Sequence, residues 1–137
     1  LLPFEEDEPY WAVKDEGYVQ WLKWDNECYD KPRYEQGHIF KTEQEAKREC
    51  DRRALLTRFR QFRDKCNGDW KPNWGAMQEE KYYILIHSIT GRCNVEFALL
   101  ENAMSQFGYF KNVNDCLRAI QLFEEDIIRL WVDEWNS

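Results

Sequence analysis

The chain has 137 residues, of which 43% are hydrophobic, 16% aromatic and 33% charged, and its formal net charge is −7. That length fits one domain or two very small ones. The 7 Trp, 7 Tyr and 8 Phe exclude a disordered chain, and no run approaches the roughly 18 apolar residues that a membrane-spanning helix needs.

Leu1-Leu2-Pro3-Phe4 runs straight into Glu5-Glu6-Asp7-Glu8. It lacks the basic start and long apolar stretch of a signal peptide. Residues 1–9 therefore read as an acidic lead-in. Tyr10 to Val13 reads as a strand, Asp15-Glu16-Gly17 as a turn, and Tyr18 to Trp24 as the returning aromatic strand. Asp25 to Arg33 is polar and contains Pro32, so it is expected to be a loop. Gly37 to Phe40 is expected to be a short third strand or an extended entry to a helix.

A long helix follows. Thr42 with Glu45 three residues later forms a capping box, and Asn67-Gly68 is a stop signal near Cys66. Its apolar residues Ala46, Cys50, Ala54, Leu55, Phe59, Phe62 and Cys66 shift from one face to another along its length. The helix must either bend or touch different partners at its two ends.

Residues 69–80, with Trp70, Pro72 and Trp74, read as a linker that packs its indoles. Lys81 to His87 is the strongest strand signal, Thr90-Gly91 a turn, and Cys93 to Leu100 the next strand. Phe107 to Phe110 repeats the short extended entry, and Asn112 with Asp115 is expected to cap a helix. Glu124-Glu125-Asp126 reads as the start of a separate last helix carrying Ile127, Trp131 and Trp135.

The two halves share one order. Phe40-Lys41-Thr42 with Glu45-Ala46 matches Phe110-Lys111-Asn112 with Asp115-Cys116. The expected fold is α+β: two tandem, divergent ββ(β)α units, residues 10–68 and 81–137, with an aromatic-rich core and a C-terminal helix.

Chemistry-bearing motifs are scarce. The cysteines Cys28, Cys50, Cys66, Cys93 and Cys116 are odd in number and show no C-x-x-C pair. Free thiols in a reducing cytoplasm are the expectation. His38 and His87 lie far apart with no paired-ligand spacing, so no metal is expected. The acidic pairs sit at turns, helix starts and chain ends. No phosphate loop, dinucleotide fingerprint or hydrolase elbow occurs, so neither a cofactor nor catalysis is expected.

Trp24 to Gly37 is the most specific segment. Asp30 and Arg33 are placed to form an ion pair that fixes the loop over Trp24 and Tyr34. The alternative is an exposed aromatic and charged patch of the interface type. With Trp24-Asp25-Asn26, Asp30, Arg33-Tyr34, Gly37, Phe40-Lys41-Thr42 and Glu45-Ala46, this run resembles a family of small proteins encoded by phages and prophages of low-GC Gram-positive bacteria. That family shows a W-x-N … D-x-x-R-Y-x-x-G-N-x-F-x-T-x-E-E-A signature, from which this chain departs at His38 and Gln44. The likeness weakens beyond the motif but covers most of residues 10–131. It implies a genomic context and no catalytic residue.

Charge is unevenly spread: net −7 over residues 1–46, +5 over residues 47–65 and −5 over residues 66–137. The resemblance and the acidity together imply a non-catalytic accessory protein, a monomer or homodimer, acting in the cytoplasm of a bacterial host. It would bind a host protein, in the sharpest form inhibiting a nucleic-acid-binding defence effector as an anti-CRISPR protein does. Its expected partner contacts are Asp15, Glu16, Trp24, Asp30, Arg33, Tyr34, Glu79 and Glu80. The alternative is nucleic-acid binding by the basic helix 47–65, where Arg48, Arg52 and Arg63 share one sector. Glu49, Asp51 and Asp64 interrupt that helix and favour pairing within it.

Overall fold

Alternating side chains build the first sheet. In the computed structural model, which describes residues 4–25, 29–87 and 89–133, β1 (Pro9–Val13) lies between β2 (Val19–Lys23) and β3 (Ile39–Phe40), all antiparallel. The β1–β2 turn closes on Gly17, whose φ of +82° suits glycine. Tyr10, Ala12, Leu22 and Ile39 cluster with Phe4 and Trp24. Phe4 stacks on Trp24 at 5.4 Å between ring centres, and Tyr10 meets Phe4 edge-on at 5.6 Å.

The expected loop after Asp25 instead contains a short helix, α1 (Asp30–Glu35). Pro32 sits in its first turn, where the backbone N–H has no intrahelical acceptor, so proline costs nothing there. The chain leaves α1 through Gly37 at φ +72°.

α2 (Glu43–Asn67) starts where expected, and the Glu45 N–H donates to Thr42 Oγ1 at 3.2 Å. The chain divides into two compact units, Leu1–Arg53 and Ala54–Ser137. The boundary falls inside α2, and this accounts for the change of apolar face. Ala46 is buried in unit 1, while Leu55 and Phe59 enter the core of unit 2.

In unit 2, β4 (Lys81–His87) pairs antiparallel with β5 (Arg92–Ala98) along seven residue pairs. Ile84 and Cys93 face a core made with α3 (Val113–Ile127) and the π-helical turn Ile128–Val132. Phe59 is its centre, with ring centres of Phe107, Phe123 and Phe110 at 4.9, 5.2 and 5.8 Å. Burying a ring of this size contributes roughly 1.5–3 kcal/mol. Trp74 packs edge-on against Tyr109 at 5.0 Å, so the Trp/Pro segment is anchored by its indole.

The fold is α+β with two small antiparallel sheets. The order of pairing recurs: β1 is flanked by β2 and Phe40, β4 by β5 and Phe110. Ala46 and Cys116 are both fully buried, and each donates its N–H to the carbonyl four residues back at 3.3 Å.

Three expectations are corrected in the second half. The bracketed strand of the second ββ(β)α unit is reduced to a single bridge between Phe110 and Tyr82. The Asn112 side chain meets Asp115 at 3.5 Å and caps no backbone N–H. Glu124, Glu125 and Asp126 lie inside α3, because Phe123 and Ile127 carry its buried face straight past them. Trp135 lies outside the described residues.

Candidate protein-interaction site

Asp30 opens α1 and points inward. Its Oδ1 accepts the Tyr10 hydroxyl at 2.5 Å and its Oδ2 accepts the Asp25 N–H at 2.8 Å. Burial pushes the Asp30 carboxyl up, but the bonds from Tyr10 and Asp25, with Arg33 nearby, outweigh it and hold it below its ordinary value. The Tyr10 hydroxyl is pushed up, by burial first and then by donating to Asp30, while Arg33 pulls it down. Arg33 donates to the Tyr10 oxygen at 3.2 Å. Its expected pairing with Asp30 is thus relayed through a tyrosine hydroxyl.

This geometry corrects two expected contacts. Trp24 is fully buried and Asp30 is 3% exposed, so neither can touch a partner. They hold α1 against the sheet. Two tyrosines beside them are exposed: Tyr29, the residue before α1, at 65%, and Tyr34 in α1, at 49%. The Arg33 guanidinium lies over the Tyr29 ring at 5.5 Å, a cation–π arrangement that keeps both groups presented together. Tyr29 was not anticipated. Its signal was its place one residue before the buried Asp30.

Asp15 and Glu16 are exposed in the β1–β2 turn. In unit 2, Glu79 is engaged in its own turn. Its Oε1 accepts the Asn73 N–H at 2.9 Å and lies 3.7 Å from Lys81 Nζ. The Asn73 bond foremost holds its carboxyl below the ordinary value. Glu80 is exposed and accepts the Tyr82 hydroxyl.

Lys81 is 0% exposed. Its ammonium donates to the carbonyls of Leu99, Glu79 and Ala76 at 2.6, 2.9 and 3.4 Å and lies 5.0 Å from the Trp74 ring centre. It ties the segment just before β4 to Leu99, the residue that follows β5.

The basic helix is occupied internally. Lys47 pairs with Glu43 at 2.8 Å, and Arg53 with Glu49 at 3.2 Å. Arg53 also donates to Gly37 O and lies 3.0 Å from His38 Nδ1. Arg58 reaches Asp126 at 3.9 Å. Arg63 donates to the Phe107 carbonyl at 3.1 Å and packs so closely on Gly108 that a Cβ there would lie 2.2 Å from its Nη1. Arg52 is half-buried, and burial pulls its guanidinium below the ordinary value. Arg48, also half-buried, lies one turn earlier on α2. Arg63 is therefore a packing residue rather than part of a phosphate track.

An open cleft of about 640 Å³ lies between the β4–β5 turn and the end of α3. Its charges answer one another: Glu124 accepts the Cys93 N–H at 2.9 Å and lies 3.6 Å from Arg92. Among the described residues no group of three or more His, Cys, Asp and Glu side chains is placed to hold a metal. No helix among them is long and apolar enough to cross a membrane. Cys50, Cys66, Cys93 and Cys116 are free thiols, and Cys28 lies outside the described residues. No family model, no curated protein and no solved structure matches the chain.

Proposed function

We propose that this is a non-catalytic protein-binding protein that presents Tyr29, at the start of α1, with Arg33 and Tyr34 of α1 to a partner of basic charge. One observation carries the reading: two exposed tyrosines and a stacked arginine cluster at and just before a short helix that the buried Tyr10–Asp30 bond holds in place. Tyrosine and arginine are the residue types that concentrate binding energy at interfaces, and prior fixation lowers the ordering cost of binding. The net charge of −7, with Asp15 and Glu16 exposed in the same unit, favours a basic partner and speeds encounter with it.

The resemblance to phage-encoded proteins supports a bacterial host protein as that partner. The sharpest form is an inhibitor that covers the nucleic-acid-binding surface of a defence effector in the host cytoplasm, in the manner of an anti-CRISPR protein.

The test begins with affinity capture from lysate of a low-GC Gram-positive host. It continues with rate measurements on the captured partner. Replacing both Tyr29 and Tyr34 by Ala should weaken binding by about thirtyfold or more, the scale of a hot spot of about 2 kcal/mol, with the circular dichroism unchanged. Asp15→Lys with Glu16→Lys should slow association, more at low salt than at high. Strong, salt-sensitive binding to random DNA or RNA, lost on reversing Arg48 and Arg52, would sink the proposal in favour of the helix.

A further inference from the structure

We infer that β2 is a docking edge for a second copy of this chain, pairing antiparallel with its counterpart about a two-fold axis at Trp21. The bonds that hold β2 to β1 fix which of its groups face outward. Lys14 N–H donates to the Tyr18 carbonyl and Trp24 N–H to the Glu8 carbonyl. Even-numbered residues of β2 therefore bond to β1. Val19, Trp21 and Lys23 turn their N–H and C=O groups away from it. Among the described residues nothing pairs with those groups. The second sheet covers part of each of its edges. Its β4 edge exchanges bonds of 3.0 and 2.7 Å with Phe110, and the outward Cys93 N–H of β5 is taken by Glu124.

The row of side chains across the first sheet selects a copy of itself as the occupant. Phe40, Trp11 and Trp21 are register neighbours, and the row stops at the edge with an indole that is 49% exposed. Placing Trp21 opposite Trp21 of the second copy continues the aromatic row across both sheets, and cross-strand aromatic pairs are favourable.

Charge selects the same register. The chain holds 26 acids, yet residues 17–24 hold none. The stretch from Tyr18 to Trp24 is centred on Trp21, so a two-fold axis there lays it along itself. Sliding the pairing by one ladder step brings Asp25 opposite Val19, or Glu16 opposite Trp24. Such an isologous contact closes after two copies, because each edge is used up by the other. This inference goes beyond the partner-binding reading and uses other residues, so either can fail alone.

Sedimentation velocity on the full chain, across a rising concentration series at low and high salt, tests it. The mass should move from 16.8 kDa to twice that. It should do so more readily at high salt, where repulsion between two chains of charge −7 is screened. Trp21→Glu, which faces two carboxylates across the axis, should abolish the dimer. Val19→Pro removes only an outward N–H, as edge positions tolerate, and should weaken it at least tenfold. Circular dichroism on both variants checks that the monomer stays folded, and either folded variant suffices for the comparison. A chain that stays monomeric at every concentration and salt overturns the inference, including the case in which it takes up a strand from another protein. A dimer of undiminished strength in a folded variant overturns it as well.

Discussion

Unit 1 buries an anion and unit 2 buries a cation, and the two are satisfied by different means. Asp30 recruits a side-chain hydroxyl and one backbone N–H, whereas Lys81 takes three backbone carbonyls and no side-chain donor or acceptor closer than Glu79 at 3.7 Å. Each backbone carbonyl has two lone pairs, while each N–H donates once and the sheets use most of them. Acceptors are therefore in surplus in a folded chain and donors are short. A buried lysine can draw on whatever turns surround it. A buried aspartate needs a donor brought to it, here by Tyr10 from the facing strand. The cation consequently organises backbone, and the anion organises side chains.

The widest gap should appear at the cation. Lys81→Met keeps the stem and the volume but leaves the carbonyls of Ala76, Glu79 and Leu99 without their donor. The expected cost is about 3 kcal/mol or more in urea unfolding. A neutral result would mean that the turns close without the ammonium, and the contrast between the units would collapse.

Tyr10→Phe removes the anion's donor and should cost about 1–3 kcal/mol. It should do so at neutral pH, where Asp30 is ionised. The pH dependence sharpens the point. Unfolded Asp30 titrates near 3.8 and the native group lower. Between those values the unfolded chain binds more protons, so this part of the stability is full above that window and is lost as pH falls through it. Asp30→Asn should flatten that acid limb.

The matched helix starts give a smaller difference. Thr42→Ala should cost about 0.5–2 kcal/mol through loss of the bond to the Glu45 N–H. Asn112→Ala should change the melting temperature little, since its amide meets a side chain and no backbone donor.

The thiols should separate least in energy but clearly in rate. Burial pushes Cys93 up to about 11 and Cys116 up to about 12. Alkylation of native protein at mildly alkaline pH should reach both later than the half-buried Cys50 and Cys66.

Much of this architecture was legible in the residues. Lys81 to His87 is a short run dominated by aromatic and β-branched residues, which marks a strand, and Thr42, Glu45 and Gly68 bracket α2 by known chemistry. The parts that misled are those where one residue type serves two purposes. Pro32 marks loops, yet it is equally at home in the first turn of α1. Glu124 to Asp126 suits a helix start, yet three solvated acids also fit the outer face of a helix whose apolar side continues. Trp24 and Asp30 look like interface residues in type, as Tyr34 does, and only the three-dimensional surroundings reveal that the first two are buried while Tyr34 and the neighbouring Tyr29 are exposed. Nothing in the pattern around Lys81 foretells its burial, because its acceptors are backbone carbonyls just before β4 and just after β5 and carry no side-chain signature.

Lys81 also bears on the chemical labelling of this protein. An acylating reagent must approach an amine lone pair along an open path, and here the nitrogen is enclosed by Leu99, Glu79, Ala76 and the Trp74 ring. Treated with excess reagent, the folded chain should stop one acyl group short of its 9 lysines plus the terminal amine. The missing group should arrive only as fast as the turn over β4 opens. Mass spectrometry of that last addition would read out the opening rate of unit 2 directly, with no probe introduced.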